Sequence, residues 1–126
     1  MKKILVIEDN TEVRENIIDI LLISGYEVLD APDGKAGVEI ALQEKIDLVL
    51  CDIMMPVLDG YGVLQLLNNS KESQDIPFIF LTAKSEKSDM LQGMNLGADD
   101  FITKPFDGDE LLNAIGKRLA KVSDQQ

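Results

Sequence analysis

The chain has 126 residues, 45% hydrophobic and 28% charged, with 23 acidic against 12 basic side chains and a formal charge of −11. That length suits one ordinary domain with a real core, and the composition is globular rather than disordered. The acidic balance opposes phosphate backbones and anionic membranes, and no apolar run is long enough to cross a bilayer, so neither nucleic acid nor membrane is expected as a direct partner.

In chain order, Lys3–Ile7 reads as a buried strand that leads through EDNT into a helical pattern. Val13, Ile17, Ile20 and Leu21 recur there at intervals of three and four and form a core stripe. Gly25 stands where that helix's C-cap is expected, and Glu27–Leu29 is a weaker strand. Leu48–Cys51 and Phe78–Leu81 are further buried strands, each followed by a polar or Pro/Gly turn and a helical pattern. Asp59 and Gly60 should shape the start of the third helix, and Gly97 is a second C-cap position before a short strand at Phe101–Ile102. Asp107 with Glu110 resembles a capping box opening the last helix, whose core stripe is Leu111, Leu112, Ile115 and Leu119. The domain is expected over residues 1–122, with 123–126 as a polar tail or the start of a linker.

Five βα units of this rhythm predict an α/β fold: a doubly wound five-stranded parallel sheet with right-handed crossovers and helices on both faces. The lone Cys51 cannot form an internal disulfide, and the start MKKILVIEDN turns acidic too early for a signal peptide. Both features favour a reducing cytoplasm.

In open parallel sheets, ligands bind beyond the carboxyl ends of the strands. The strand ends here carry Glu8 and Asp9, Asp52, Thr82 and Lys104: three carboxylates, a hydroxyl and an ammonium. Each has an ordinary explanation alone, as a partner for a helix dipole, a β-branched strand residue or a solvated lysine. Clustered, the carboxylates repel one another and call for a cation. All-oxygen donors with no histidine point to Mg²⁺, with Mn²⁺ as the second choice; the loop lacks the alternating acids and glycine of a calcium EF-hand. The turn EDNTEV carries acids where a nucleotide or flavin site would carry glycines, and there is no G-x-x-x-x-G-K-[ST] motif. Without histidine, Ser-His and Cys-His triads are excluded.

These residues resemble the receiver domain of two-component response regulators, a CheY-like family. The match runs from KILVIEDN through DLVLCDIMMPVLDGYGVL and PFIFLTAK to GADDFITKPFDGDELLNAI. The resemblance implies strand order 2-1-3-4-5, with two helices on one face and three on the other. It implies that Asp52 accepts a phosphoryl group from the phosphohistidine of a sensor histidine kinase or histidine phosphotransfer protein. Asp9 would ligate the metal directly and Glu8 mostly through water, with the backbone carbonyl of Met54 as a further ligand. Thr82 and the N–H of Ala83 would bind phosphoryl oxygens beside Lys104, and the Lys104–Pro105 bond would be cis. Thr82 and Phe101 would form the switch, and the face made by the fourth helix, fifth strand and fifth helix would meet a downstream effector.

Phe101 stands where tyrosine is more usual, so its rotamer should be governed by burial alone. Met54 and Lys84, two residues after Asp52 and Thr82, would influence how easily water reaches the phosphoryl group, and a moderately long-lived phosphoryl state is expected. Met90 follows Asp89 where DNA-binding members have an arginine, which argues against their salt-bridged dimer and leaves other dimers open. The side chains of Met54 and Met55 are expected to fill gaps at the core's edge, and Cys51 to be a small buried hydrophobe. Such a domain catalyses only its own phosphorylation and dephosphorylation. A Mg²⁺-dependent aspartyl-phosphate phosphatase is the alternative, but it would want an acid where Met54 stands.

Overall fold

The computed structural model describes residues 1–83 and 87–124, with side chains described for 1–83 and 91–120. Ten elements alternate along the chain: β1 (Lys3–Ile7), α1 (Thr11–Ile23), β2 (Glu27–Ala31), α2 (Gly34–Gln43), β3 (Leu48–Asp52), α3 (Gly60–Asn68), β4 (Phe78–Thr82), α4 (Lys87–Asn95), β5 (Asp100–Thr103) and α5 (Gly108–Asp124). All strand pairs are parallel, in the order β2-β1-β3-β4-β5.

The strength of each strand signal follows position in the sheet. The central strands β3 and β4 are buried at every residue, which is why they read as unbroken apolar runs. β2 and β5 are the edges, partly exposed along their length, and their patterns are correspondingly short. Both extend beyond the expected spans, to Ala31 and to Thr103.

Alternate side chains divide the core into two layers. Ile4, Val6, Leu48, Leu50, Ile79 and Leu81 meet Ile17 and Leu21 of α1 and Leu111, Ile115 and Leu119 of α5. Leu5, Ile7, Val49, Cys51, Phe78 and Phe80 meet Ala41 of α2 and Val63, Leu64 and Leu67 of α3. Gly93 places α4 on this second face, against Phe80 and Phe101. Fully burying each large side chain contributes about 1.5–3 kcal/mol. Val13, Ile20 and Leu112 of the expected stripes are partly buried at the margin of the first layer.

The caps tie helix starts to the sheet's carboxyl edge. Asn10, Asp33 and Asp59 accept N–H bonds from Val13, Ala36 and Gly62. Asp107 accepts from Glu110 at 2.8 Å, opening α5 where the sequence placed it. Gly25 and Gly97 follow α1 and α4 at φ +92° and +103°, the left-handed conformation that ends a helix. α5 runs to Asp124, so the first two residues of the expected tail, Ser123 and Asp124, are helical.

Candidate metal and phosphoryl site

The site is built where β1, β3, β4 and β5 end together. Asp52 is the last residue of β3, opposite Leu81 in β4, and only 6% exposed. The next residue, Ile53, anchors the departing chain: its N–H donates to the Leu81 carbonyl at 3.1 Å and its carbonyl accepts from Gly60 at 2.9 Å.

Glu8 follows β1 and is fully buried. Its Oε1 accepts from Lys104 Nζ at 2.5 Å, and its Oε2 accepts from the Asn10 N–H at 3.4 Å. Lys104 Nζ also lies 3.5 Å from Asp52 Oδ1. The lysine is held in reach because its own N–H donates to the Thr82 carbonyl at 2.6 Å, tying the loop after β5 to the end of β4. The Lys104–Pro105 bond is cis, as expected.

Carboxylate oxygens of Glu8, Asp9 and Asp52 all lie within 4.8 Å of one another. Asp9 is exposed while the other two are buried, so the cluster opens to solvent at Asp9. Burial, followed by the hydrogen bond with Asp52, raises the pKa of Glu8 above its ordinary value, and Lys104 opposes that rise. Two buried carboxylates in contact need a shared proton or a cation, and Lys104 supplies only one positive charge. The donors are all oxygen and close enough to share one ion, so the residues present fit Mg²⁺. That ion, when bound, would neutralise the clustered carboxylate charge.

Thr82 ends β4 and is buried; Ala83 is exposed just beyond it. Ala83 and Lys104 line a cavity of about 460 Å³ with Val13, Asn16, Pro105 and Phe106. Phe101 is partly buried, with its ring already packed on Phe80 at a centroid distance of 5.6 Å. Phe80 in turn makes edge contacts with Phe78 and Tyr61.

Met55 fills the core's edge as expected, but the Met54 side chain is 75% exposed. The chain has left the sheet by that point, so the thioether projects away from the core. Cys51 is fully buried, and burial pushes its thiol pKa well up. Lys84 and the side chains of Asp89 and Met90 lie outside the described residues.

Two features escaped sequence reasoning. Val57 has φ +70°, rare for a β-branched residue, in a tight turn closed by the Leu58 N–H donating to the Pro56 carbonyl at 2.8 Å. Arg14 of α1 reaches back to the acidic turn: its Nη1 donates to the Glu8 carbonyl at 2.7 Å and its Nε to Asp30 Oδ2 at 3.2 Å. A signal for Arg14 did exist, since a cation one turn past the Asn10 cap faces the turn it caps; for Val57 there was none.

With this geometry in place, known proteins supply the class. The response regulator receiver domain family is matched over residues 4–116. The chain belongs to that family, the receivers of two-component systems. It is 46% identical over 125 residues to a probable transcriptional regulator, ycf27, of Porphyridium aerugineum, covering 97% of this chain and 51% of that protein. The chain thus spans about half the length of the curated relatives it matches. A CheY-like receiver domain protein from Methanospirillum hungatei superposes with a TM-score of 0.93 at 28% identity, over 100% of this chain and 99% of that one. The receiver domain of a sensor histidine kinase from Pseudomonas aeruginosa, with a magnesium ion coordinated in its active site cleft, superposes at 0.84 with 32% identity, over 94% of this chain and 98% of that one.

Proposed function

We propose that this receiver accepts a phosphoryl group on Asp52 from the phosphohistidine of a sensor histidine kinase or histidine phosphotransfer protein, in a Mg²⁺-dependent reaction. The observation that carries this reading is the convergence of Asp52 with Glu8, Asp9 and Lys104 at one edge of the sheet. An Asp52 carboxylate oxygen attacks phosphorus, the P–N bond of the phosphohistidine breaks, and the imidazole leaves. A carboxylate is a weak nucleophile, so the rate comes from alignment and from neutralising charge. Glu8, Asp9, Asp52 and the Met54 carbonyl would hold the metal, with Asp9 a direct ligand and Glu8 acting mostly through water. Lys104 Nζ, Thr82 Oγ and the Ala83 N–H would take the phosphoryl oxygens.

The same contacts operate the switch. Thr82, drawn toward the new phosphoryl group, vacates space beside Phe101, and the α4–β5–α5 face shifts between two packings. That face would signal to a downstream partner or to an output domain in the remainder of a longer chain, as the doubled length of the relatives suggests. The domain acts in the cytoplasm and turns over no separate substrate. Met54 offers no acid for a leaving group, and nothing favours the phosphatase reading.

Incubation of the purified chain with a small phosphodonor and Mg²⁺, followed by intact-mass measurement, tests this. One phosphoryl adduct on the wild type, lost in Asp52→Asn and on chelation of the metal, is expected. Equal labelling of Asp52→Asn would overturn the assignment.

A further inference from the structure

We infer that Arg14 is a positioning residue for the acidic turn, anchored by Asp30, and that it sets the affinity of the Glu8–Asp9–Asp52 cluster for its cation. The inference rests on the metal reading proposed above and concerns a residue outside the carboxylate set. Glu8 and Asp9 follow β1 directly, so the direction in which their side chains leave depends on how peptide 8–9 is fixed. The Glu8 N–H is held by the ladder, donating to the Ala31 carbonyl at 3.2 Å. Its carbonyl is the other handle, and Arg14 Nη1 takes it at 2.7 Å.

The guanidinium does not hang on one bond. Its Nε donates to Asp30 Oδ2 at 3.2 Å, and the Arg14 side chain is only 14% exposed against 46% for Asp30. One planar fork therefore links α1, β2 and the turn after β1. A rigid fork suits a two-point clamp, whereas a lysine ammonium offers a single compact charge on a flexible stem. β2, which contributes no side chain to the cluster, acquires a part in the site through Asp30.

The sign of the effect separates positioning from electrostatics. Arg14 is a cation beside a cation site, so as a charge alone it weakens metal binding, and removing it should tighten binding. As a clamp it holds the carboxylates converged, and removing it should loosen them; partners that orient metal ligands are typically worth 10–100-fold in affinity.

Calorimetric titration of the full chain with MgCl₂ decides between them, with circular dichroism confirming that each variant is folded. Arg14→Met is expected to bind Mg²⁺ about tenfold or more weakly. Arg14→Lys, which keeps the charge and loses the fork, should also be weakened. Asp30→Asn removes only the far anchor, and serves if Arg14→Met does not fold. Its effect should largely vanish in an Arg14→Lys background, because the two residues act through one clamp. Unchanged or tighter binding by Arg14→Met, full wild-type affinity in Arg14→Lys, or additive losses in the double variant would overturn the inference and leave the metal site standing. A wild type that does not bind Mg²⁺, or binds it equally well as Asp9→Asn, would instead overturn the metal reading, and this inference with it.

Discussion

Lys104 is paired with Glu8, at 2.5 Å, more closely than with Asp52, at 3.5 Å. The ammonium that the resemblance assigns to the phosphoryl group thus rests on the more deeply buried acid of the cluster. Under the proposed phosphotransfer, Lys104 would have to move from Glu8 toward Asp52. Glu8→Gln loosens this resting pair and removes an acid from the proposed metal site. Its Mg²⁺ affinity should fall about tenfold or more by calorimetry; unchanged affinity would mean that Glu8 serves only to hold the lysine.

The raised pKa of Glu8 gives a pH dependence of definite sign. Folded Glu8 holds its proton more tightly than the unfolded chain does, so its contribution to metal-free stability is fully present below the ordinary glutamate value. That contribution is lost as pH rises through the folded value. If the cluster holds Mg²⁺ as proposed, the ion binds the deprotonated form, so the thermal stabilisation it confers should grow over the same interval. Thermal melts with and without Mg²⁺ from pH 4 to pH 7 check this, and the growth should shrink in Glu8→Gln.

Gly93 brings α4 into direct contact with Phe80 and Phe101. A Cβ there would lie 2.6 Å from Phe101 Cζ and 2.8 Å from Phe80 Cε2, inside any normal contact. Gly93→Ala should destabilise the domain by about 1–3 kcal/mol through overpacking, despite alanine's better helix propensity. Phe101→Leu shortens the obstructing ring, so the double variant should recover part of that loss in urea denaturation. Strict additivity would show that Gly93 and Phe101 are uncoupled.

Cys51 is fully buried and its thiol pKa is raised, chiefly by burial with Asp52 next in effect. An aromatic disulfide reagent should therefore label the native chain only through opening, at a rate that climbs with added urea. Fast stoichiometric labelling in buffer would contradict the packing of β3 described here.

What could be read from the sequence was set by burial. β3 and β4 stood out because both faces are covered, and the site residues at their ends were found by following those runs to the first polar side chain. Asp52 and Thr82 are the last residues of their strands, since backbone pairing continues one residue past the apolar runs Leu48–Cys51 and Phe78–Leu81. Asp107 and the glycines at 25 and 97 were legible because caps have local chemistry. Met54 was misjudged from type alone: an apolar residue beside a strand looks like core until the chain's exit direction is known. Gly93 acts through contacts made across the fold, which no local pattern records, and so does the Asp30 end of the Arg14 clamp.

The central claim is that Asp52, among three clustered carboxylates, is the one that carries the phosphoryl group. Reduction with borohydride converts an aspartyl phosphate to homoserine and so marks the position that held it. After incubation with phosphodonor and Mg²⁺, peptide mapping of the reduced chain should find homoserine at position 52 and aspartate retained at position 9. Homoserine at position 9, or at neither position in a chain whose mass shows the adduct, would contradict the account.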